Sequence, residues 1–533
     1  MMKFVRRAAL MPLLLALAVV LPGAGGMSAS AAGGVVLDAN KPVHPYLQYG
    51  SQVDPANIVR VIVQKSSAHV DSASIARVAG VAIDEEFTFI NALTLEVPLG
   101  IVPTLSRVAG VKYITVDGPV MPQAIDASQL ATTYQAAIGA PAVWNGAAGR
   151  PALTGAGVGV AVIDTGVNAS LPDFSANTLV AVNVNPNATG PQDNYGHGTH
   201  VVGTINGRDP QGRYIGVAPE ARVVSVKISD DAGRTTESDL IRGLQWVYMQ
   251  RGTYNLRVVN LSLSSAIPTS YLVSPVAAAV EQVWRGGVVV VAASGNDGSA
   301  HDATWAVPGA DPYVLTVGAV DHNETAAPTD DSLATFSSRG KTQDGVYKPD
   351  VVAPGRKIVA PLASTSATLA RQLPDRITDG RYIRLSGTSM ASPITTGVVA
   401  LLLQAYPTLT PDQVKWLLTN TGRGYAGQAD SAGVVDPLAA LKRAAGGRVG
   451  SANQGLAPNG SLLSPLTGLV QGLVGTVVSL VVDLLYWDTT YWGETYDTAG
   501  RWQSAHWDAA HWDSAHWDSA HWDSAHWDAA HWD

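Results

Sequence analysis

A doubly wound α/β domain is the fold class that the sequence predicts for residues 127–445. Strand-like and helix-like patterns alternate through this region, and its strands are near-continuous apolar, β-branched runs. Continuous apolar runs are typical of parallel strands that are buried on both faces. Because such sheets place their sites at the carboxyl ends of the strands, polar residues that directly follow these runs are the first candidates for function.

The strands and helices of this domain follow from local patterns. The helical pattern that begins at Glu237 has Thr236 as its predicted N-cap, and Asp239 three residues later completes a capping box. The predicted strands are Val158–Ile163, Arg222–Ile228, Val258–Leu263, Val288–Ala292 and Tyr313–Val317, and the predicted helices include Glu237–Arg251 and Pro275–Arg285.

A small α+β unit of the ferredoxin-like kind is predicted at residues 57–117. Strands and helices that are mixed at short spacing favour this class. The unit lies between an export signal and the main domain, which is the place of a prosegment. Its predicted strands are Ile58–Val63, Phe87–Val97 and Val111–Val116, and its predicted helices are Ser72–Val78 and Val102–Val108.

Residues 1–31 have the organisation of a secretory signal peptide. Lys3 begins a basic stretch that precedes the apolar run 8–21, and the small residues Ala29–Ala31 fit a cleavage site. An uncleaved membrane anchor is the alternative, which the short apolar run disfavours. We therefore expect a secreted or extracellular protein.

Composition excludes several classes of function. The formal net charge of −9 and the lack of a basic stripe argue against a nucleic-acid partner. The chain has no cysteine, so disulfides, thiolate metal sites and a cysteine nucleophile are excluded. Apolar residues make up 46% of the chain, which is ample for a large core.

The C-terminal part of the chain differs in composition. Residues 446–503 are predicted as a linker followed by an apolar segment, 462–485, whose glycines and Asp483 disfavour a membrane span and leave a partner-binding or membrane-interface role. Residues 504–533 form a low-complexity tail that repeats His-Trp-Asp with a period of five. The tail is a candidate for cell-envelope attachment through its tryptophans or histidines, and a solvated, disordered tail is the alternative.

A serine near the end of the main domain is the candidate nucleophile. Residues Gly387–Pro393 place Ser389 at the start of an apolar helix that is predicted at Ile394–Tyr406. A lone serine at such a place is usually only an N-cap. The Gly-x-Ser-x-Gly motif of another hydrolase class is absent, because Ala391 stands where that motif requires glycine.

Two earlier segments supply what a serine nucleophile needs. A hydroxyl needs a base to take its proton, and the base needs a carboxylate to orient it. Asp164 ends an apolar strand, and His197 lies between two glycines. His200 is expected to be a core or supporting residue. A zinc pair is disfavoured because the two histidines are three residues apart, with Gly198 where such a motif needs glutamate.

An asparagine is the candidate donor to the oxyanion of a tetrahedral intermediate. Asn296 follows the apolar run Val288–Val291, and its amide group would act together with the backbone N–H of Ser389. An ordinary turn asparagine is the alternative.

These segments together resemble those of the subtilisin-like serine proteases, the subtilase or S8 family. The resemblance covers residues 127–445 and extends to residues 57–117, which look like the inhibitor-type prosegment of that family. It implies that Asp164, His197 and Ser389 form a catalytic triad and that Asn296 completes an oxyanion hole.

The resemblance also implies a substrate-binding strand that includes Ser262, Leu263 and Ser264, and a P1 pocket to which Gly295 and residues 306–308 contribute. Ser264 stands where a glycine is common, so its side chain would narrow the pocket for P1 or P4. Residues 394–395 also depart from the family pattern, which affects helix packing only.

The resemblance implies that the chemistry needs no cofactor, and it makes Asp173, with the loop 206–215, a candidate site for a structural calcium ion. A surface aspartate is the alternative. The expected protein is a monomeric, secreted serine endopeptidase that acts on polypeptides through an acyl-enzyme. It is made as a self-processed zymogen whose own prosegment is an intramolecular inhibitor. The rival class is a non-catalytic envelope protein, which the complete set of triad residues disfavours.

Overall fold

The computed structural model describes residues 28–30, 36–38, 42–118, 120–122, 133–146, 148–174, 179–209, 213–300, 302–327, 329–426, 428 and 431–462. The predictions for the signal sequence up to residue 27, for most of the apolar segment and for the His-Trp-Asp tail lie outside these residues.

The main domain is built on an eight-stranded sheet, which is parallel except at one edge. Gly159–Asp164 lies in its centre, paired in parallel with Leu256–Leu261 on one side and with Arg222–Lys227 on the other. The chain order reverses at this strand, which makes it the topological switch point of a doubly wound sheet. The order is Ser332–Leu333, Leu315–Asp321, Val289–Ala293, Leu256–Leu261, Gly159–Asp164, Arg222–Lys227 and Leu179–Asn183, with Val351–Pro354 also paired to Leu315–Asp321.

Burial explains why the strand predictions succeed. Every residue of Gly159–Asp164 and of Val289–Ala293 is buried, so both faces of these strands are covered, as the continuous apolar runs predict. The predicted capping box at Thr236 is present, with Asp239 N–H bonded to the Thr236 hydroxyl. The helices of the main domain are Tyr134–Ala137, Ala140–Trp144, His197–Asn206, Glu237–Gln250, Pro275–Arg285, Thr368–Gln372, Thr388–Ala405, Pro411–Thr421 and Pro437–Ala445.

The structure also contains smaller elements, some of them in the N-terminal unit. They are the strand pairs Ser28–Ser30 with Val36–Asp38, Val120–Pro122 with Leu263–Ser265, and Gly340–Lys341 with Tyr347–Lys348; the three-stranded sheet of Ile358–Pro361, Tyr382–Leu385 and Ile377–Thr378; and the 3₁₀ helices Leu99–Ile101, Pro374–Arg376 and Gly460–Leu462.

The helix that carries Ser389 begins earlier than predicted. It spans Thr388–Ala405, so Ser389 lies in its first turn and Pro393 lies inside it, whereas the apolar pattern alone places its start at Ile394. In the described part of the chain it is the one helix long and apolar enough to cross a membrane, but 94% of that stretch is buried. It is therefore the central helix of the core.

The N-terminal unit, residues 42–118, is an antiparallel four-stranded sheet with helices. The predicted strand 87–97 is two strands, because the chain turns between them at Asn91, which has a φ of 54°. A helix at Pro45–Val53 was not predicted. The strand order is Glu85–Phe87, Ala92–Pro98, Ile58–Lys65 and Val111–Val116, and the further helices are Ser72–Ala79 and Val102–Leu105.

The N-terminal unit packs directly on the main domain. Ile62, Phe87 and Ile90 belong to the same buried cluster as the main-domain core. In the other direction, Ile267 of the main domain is buried in the apolar core of the N-terminal unit. The two parts thus share their apolar interiors along this contact.

Residues 449–462, which composition predicts as part of a linker, lie against the main domain instead. Asn459 is fully buried, and its N–H donates to the Glu281 carboxyl group at 2.8 Å. Its side-chain amide donates to the carbonyl groups of Tyr271 and Ser274. Long-range hydrogen bonds of this kind leave no trace in local composition.

Candidate active site

The carboxyl end of the central strand holds a carboxylate–imidazole pair. Asp164 Oδ1 lies 2.7 Å from His197 Nδ1, and both side chains are almost completely buried. Asp164 Oδ1 also accepts the Thr165 N–H at 2.7 Å. A carboxylate on Nδ1 fixes the ring with its proton on that nitrogen, which leaves Nε2 as the basic atom.

Local hydrogen bonds position His197 as the first residue of the helix His197–Asn206. The Asp193 carboxylate accepts from the N–H groups of Gly196 and Thr199, each at 2.7 Å, and from the Thr165 hydroxyl at 2.8 Å. Asp193 therefore holds the start of the helix against the end of the central strand. Its burial raises its pKa, although these donors oppose that effect.

A glycine next to His197 allows this close approach. A side chain at Gly198 would come within 2.3 Å of the Gly166 carbonyl oxygen. The Gly198 N–H donates to the Thr165 hydroxyl at 2.9 Å. The glycine flanking His197 is thus needed for packing between the helix and the loop after Asp164.

The helix position of Ser389 depends on a proline one turn later. In a regular helix the N–H of residue 393 would bond to the carbonyl of residue 389, but Pro393 has no N–H. The Ser389 carbonyl instead accepts the Ser262 hydroxyl at 2.8 Å. The missing helical bond is replaced by a bond that ties the Ser389 backbone to the neighbouring strand.

The Ser389 hydroxyl also points to that strand. Ser389 Oγ donates to the Ser262 carbonyl at 3.2 Å. His197 Nε2 is buried and has no hydrogen-bond partner within the described residues. The structure therefore forms the aspartate–histidine bond of the predicted triad but not the histidine–serine bond. In a resting enzyme this last bond is often long or unmade, and it forms when substrate binds.

Asn296 is held against Thr388, the residue before Ser389. Its Oδ1 accepts the Thr388 N–H at 2.9 Å and the Thr388 hydroxyl at 3.1 Å. This fixes the amide plane and turns its NH₂ group away from Thr388. The same hydroxyl bonds to the Gly295 backbone, so residues 295–296 are fastened to the residue that precedes Ser389.

The predicted substrate strand is paired with another part of the chain. Leu263–Ser265 forms an antiparallel ladder with Val120–Pro122, in which Ser264 faces Met121. On its other side the Ser265 N–H donates to the Val307 carbonyl at 2.7 Å. An extended segment therefore already lies where the sequence predicts a bound polypeptide.

Comparison with known proteins identifies the family of this fold and site. Residues 155–435 match the family model for Peptidase S8, the subtilase family. The chain belongs to the subtilase family of serine proteases. The subtilisin-like fold and the family membership predicted from the sequence are thus confirmed.

Several relatives show how far the likeness extends. The chain is 41% identical to the serine protease AprX of Bacillus subtilis (strain 168) over 276 residues, which are 50% of this chain and 62% of AprX. It is 32% identical to subtilisin E of the same organism over 344 residues, 64% of this chain and 78% of subtilisin E.

Fervidolysin from Fervidobacterium pennivorans, a keratinolytic enzyme related to subtilisin, shares the fold. Its crystal structure superposes with a TM-score of 0.57 at 23% identity, over 73% of this chain and 61% of the fervidolysin chain. This subtilase thus spans less than two thirds of the length of AprX and of fervidolysin.

His200 of this subtilase is a buried supporting residue, in agreement with the sequence. Its Nε2 lies 3.1 Å from the Ile358 carbonyl oxygen, and burial lowers its pKa to about 3. Its imidazole is therefore neutral near pH 7.

The calcium expectation for Asp173 is not supported. Both carboxylate oxygens are engaged: Oδ2 lies 2.7 Å from Arg381 Nη2, and Oδ1 lies 2.6 Å from the Tyr382 hydroxyl. The next carboxylate, Asp209, pairs with Arg213. Among the described residues there is no group of three or more metal-ligating side chains. The Asp173 carboxylate is thus bonded to a guanidinium group and a hydroxyl group.

Sequence reasoning missed the residues that hold the site together. Asp193 could have been found as a carboxylate shortly before a helix start. Asn260 carries no local signal. Its Oδ1 accepts the hydroxyl groups of Ser392 and Thr396, both at 2.9 Å, and its amide donates to the Ser262 hydroxyl at 2.9 Å. Asn260 thus fixes the nucleophile helix to the sheet.

Proposed function

We propose that this subtilase is a secreted serine endopeptidase that hydrolyses peptide bonds through an acyl-enzyme and is made as a self-processed zymogen. The observation that carries the proposal is the 2.7 Å bond between Asp164 and His197. Ser389 bonds to Ser262, which directly precedes the strand Leu263–Ser265 that pairs with the extended segment Val120–Pro122. Family membership supports the same reaction.

The reaction uses the three side chains in sequence. Ser389 Oγ turns from the Ser262 carbonyl to His197 Nε2, which takes its proton while the oxygen attacks the scissile carbonyl carbon. Asp164 stabilises the imidazolium that forms. The C–N bond then breaks, and His197 returns the proton to the leaving amine. A water molecule then gives a proton to His197 while its oxygen attacks the acyl carbon. The bond between this carbon and Ser389 Oγ breaks, and His197 returns the proton to Ser389 Oγ.

The negative oxygen of the intermediate needs donors that are fixed in advance. Asn296 supplies its NH₂ group, which the bonds from Thr388 to Oδ1 orient. Ser389 supplies its backbone N–H, because the first N–H groups of a helix have no partner within the helix. Such donors are worth most in a buried site of this kind.

The substrate is an extended polypeptide. It would add to Leu263–Ser265 as Val120–Pro122 does, through main-chain hydrogen bonds that carry little sequence information. We therefore propose broad selectivity, with modest preferences from the pockets at P1 and P4. The Ser264 side chain would narrow one of these pockets relative to a glycine.

The N-terminal unit is proposed as the inhibitor of its own peptidase domain. The packing of Ile62, Phe87 and Ile90 on the main domain supports this role, and so does the ladder at Val120–Pro122. An extended segment in the substrate position keeps other polypeptides out.

Replacement of the nucleophile tests self-processing. A Ser389→Ala chain should accumulate with the N-terminal unit attached, whereas the parent chain should be cut. Expression in a host without other extracellular proteases, followed by gel electrophoresis and a fluorophosphonate label, gives the result. Normal processing of the Ser389→Ala chain would refute self-cleavage, and lack of fluorophosphonate labelling in the processed parent would refute the nucleophile.

We extend the ladder register to propose which bond is cut. Leu263 pairs with Pro122, where the described part of this segment ends. Continuation of the antiparallel register would bring Gln123, which lies outside the described residues, opposite Ser262. Since the Ser389 hydroxyl bonds to the Ser262 carbonyl, we expect acylation at Gln123 and a mature chain that begins at Ala124. Mass spectrometry of the mature N-terminus would show Ala124, and a start more than two residues away would contradict this register.

Export and attachment complete the proposal. The basic and apolar pattern of residues 1–31 supports secretion through a cleaved signal. Attachment to the cell envelope through residues 504–533 rests on their His-Trp-Asp repeats alone. Removal of residues 504–533, followed by comparison of cell-bound with released protein, tests that role.

A further inference from the structure

The contact between the N-terminal unit and the helix Glu237–Gln250 contains two buried carboxyl groups. The Asp117 carboxylate accepts the Ser238 N–H at 2.5 Å and also the Ser238 hydroxyl. The Gly118 carbonyl accepts the Glu237 N–H at 2.6 Å. The end of the N-terminal unit thus caps this helix, where a negative charge is favoured by the helix dipole.

A negative charge on the Glu237 side chain would have less stabilisation than the charge on Asp117. This side chain is 2% exposed, and its Oε1 accepts the Ser265 hydroxyl at 2.5 Å. Within the described part of the chain, no lysine, arginine or histidine forms an ion pair with it, and its charged neighbour is Asp117. Burial, followed by the nearness of Asp117, raises the pKa of Glu237 to about 8.

The other charged groups at this contact are already paired. Burial raises the pKa of Asp117 only to about 6, because the bonds from Ser238 and the charge of Arg60 oppose it. At neutral pH Asp117 is therefore ionised while Glu237 keeps its proton. The pairs are Arg60 with Asp117 at 3.4 Å, Arg60 with Asp84 at 3.6 Å, Arg242 with Asp239, and Arg242 with Glu85.

We propose that a protonated Glu237 holds the cleaved N-terminal unit on the peptidase domain, and that loss of this proton as the pH rises releases it. The inference rests on the proposed self-cleavage, since release requires a cut chain. An ionised Glu237 would place a second negative charge beside Asp117 in a dry contact with no cation to balance it. Once the N-terminal unit has left, water solvates Glu237.

The direction of the effect follows from proton linkage. The pKa of Glu237 is higher in the contact than its ordinary value of 4.5. The contribution of its proton to binding is therefore complete below pH 4.5 and is lost as the pH rises towards 8. A single proton changes affinity by at most about tenfold per pH unit.

Two other groups at the contact, His44 and Lys112, make binding of the N-terminal unit stronger as the pH rises. They therefore limit the pH range in which the effect of Glu237 can be measured. His44 Nε2 lies 3.4 Å from the Pro268 carbonyl, and burial lowers its pKa from 6.5 to about 4, so its protonation weakens the contact in acid. Burial lowers the pKa of Lys112, which lies beside Gly460, to about 8. Loss of the Lys112 proton therefore strengthens the contact mainly above pH 8. Between pH 6.5 and 8, Glu237 dominates and accounts for about a tenfold change.

The test compares the full chain with its Glu237→Gln variant, which cannot ionise at that position. Each chain is allowed to cut itself, and a fluorophosphonate is then added at pH 6.5 and at pH 8. The label reaches Ser389 only after the N-terminal unit leaves, so its rate reports release. Because both chains share the intrinsic reactivity of the serine, the ratio of their rates isolates Glu237. Glu96→Gln, at an exposed position of the N-terminal unit, is the matched control.

The proposal predicts that the ratio of parent to Glu237→Gln release rates rises up to about tenfold from pH 6.5 to 8, and that Glu96→Gln behaves as the parent. A second variant, Ser265→Ala, removes the hydroxyl that lowers the Glu237 pKa and should shift release to higher pH. Equal pH dependence in the parent and Glu237→Gln would overturn the proposal. A chain that is never cut would instead refute self-processing, and release with it.

Discussion

The bond that replaces a helical hydrogen bond at the nucleophile makes a quantitative prediction. Ser262→Ala removes the donor to the Ser389 carbonyl and the acceptor for the Asn260 amide, at 2.8 and 2.9 Å. Pro393 cannot supply a replacement. Two buried polar groups then lack a partner, and each costs about 1–3 kcal/mol. We therefore expect the free energy of unfolding to fall by about 2–6 kcal/mol.

The loss of stability is best measured in an inactive background. We compare the thermal unfolding of the Ser389→Ala chain with that of the Ser389→Ala/Ser262→Ala double variant, neither of which can digest itself. Both chains keep the backbone carbonyl of residue 389. In the active background the same change should lower kcat, because it frees the backbone that aims the Ser389 hydroxyl. KM for peptide substrates should change less, since Ser262 contributes to the ladder through its main chain.

A second substitution isolates the proposed cause. Pro393→Ala restores an N–H that can reach the Ser389 carbonyl within the helix. Ser262→Ala should therefore cost less stability in a Pro393→Ala chain than in the parent, by about 1 kcal/mol. If Ser262→Ala leaves stability and kcat unchanged, or if the two substitutions are additive, the reasoning about the freed carbonyl is wrong.

Three further predictions follow from the site. Asp164→Asn should lower kcat by about 10⁴-fold with little change in melting temperature, because the ring then favours the wrong tautomer; peptide hydrolysis and thermal unfolding check this. Asn296→Ala should lower kcat by about 10²–10³-fold with KM nearly unchanged, as measured by steady-state kinetics. Chelation of calcium should not shift the melting temperature through Asp173. Arg381→Ala should lower the melting temperature, because the buried Asp173 carboxylate then has no cation beside it. A calcium-dependent shift in melting temperature that Asp173→Asn abolishes would contradict the pairing of Asp173 with Arg381.

The parts of this protein that could be predicted are those with a local signal. A continuous apolar run that ends in Asp164 predicts the central strand, and a four-residue pattern predicts the capping box at Thr236. The roles of His197 and Ser389 can be predicted because each residue lies close in sequence to glycine and to a helix start. Each of these signals lies within a few residues of the group that it marks.

The parts that could not be predicted depend on contacts between distant segments. Nothing near Asp173 indicates that Arg381, 208 residues away, neutralises it. The apolar pattern predicts a helix start at Ile394 and not at the observed Thr388, because the polar residues before Ile394 resemble a loop. They are helical in contact with another segment, on which Asn260 accepts the Ser392 hydroxyl and Ser262 donates to the Ser389 backbone carbonyl.

The burial of the nucleophile is the last point that the fold explains. Ser389, His197 and Asp164 are at most 3% exposed, although a catalytic site must admit a polypeptide. The ladder between Leu263–Ser265 and Val120–Pro122 covers one edge of the proposed substrate strand. In the proposed zymogen this arrangement is the closed form, and departure of Val120–Pro122 would open the strand to other chains. Activation would then be a matter of how firmly the N-terminal unit is held, which places control at the contact around Glu237 and not at the triad itself.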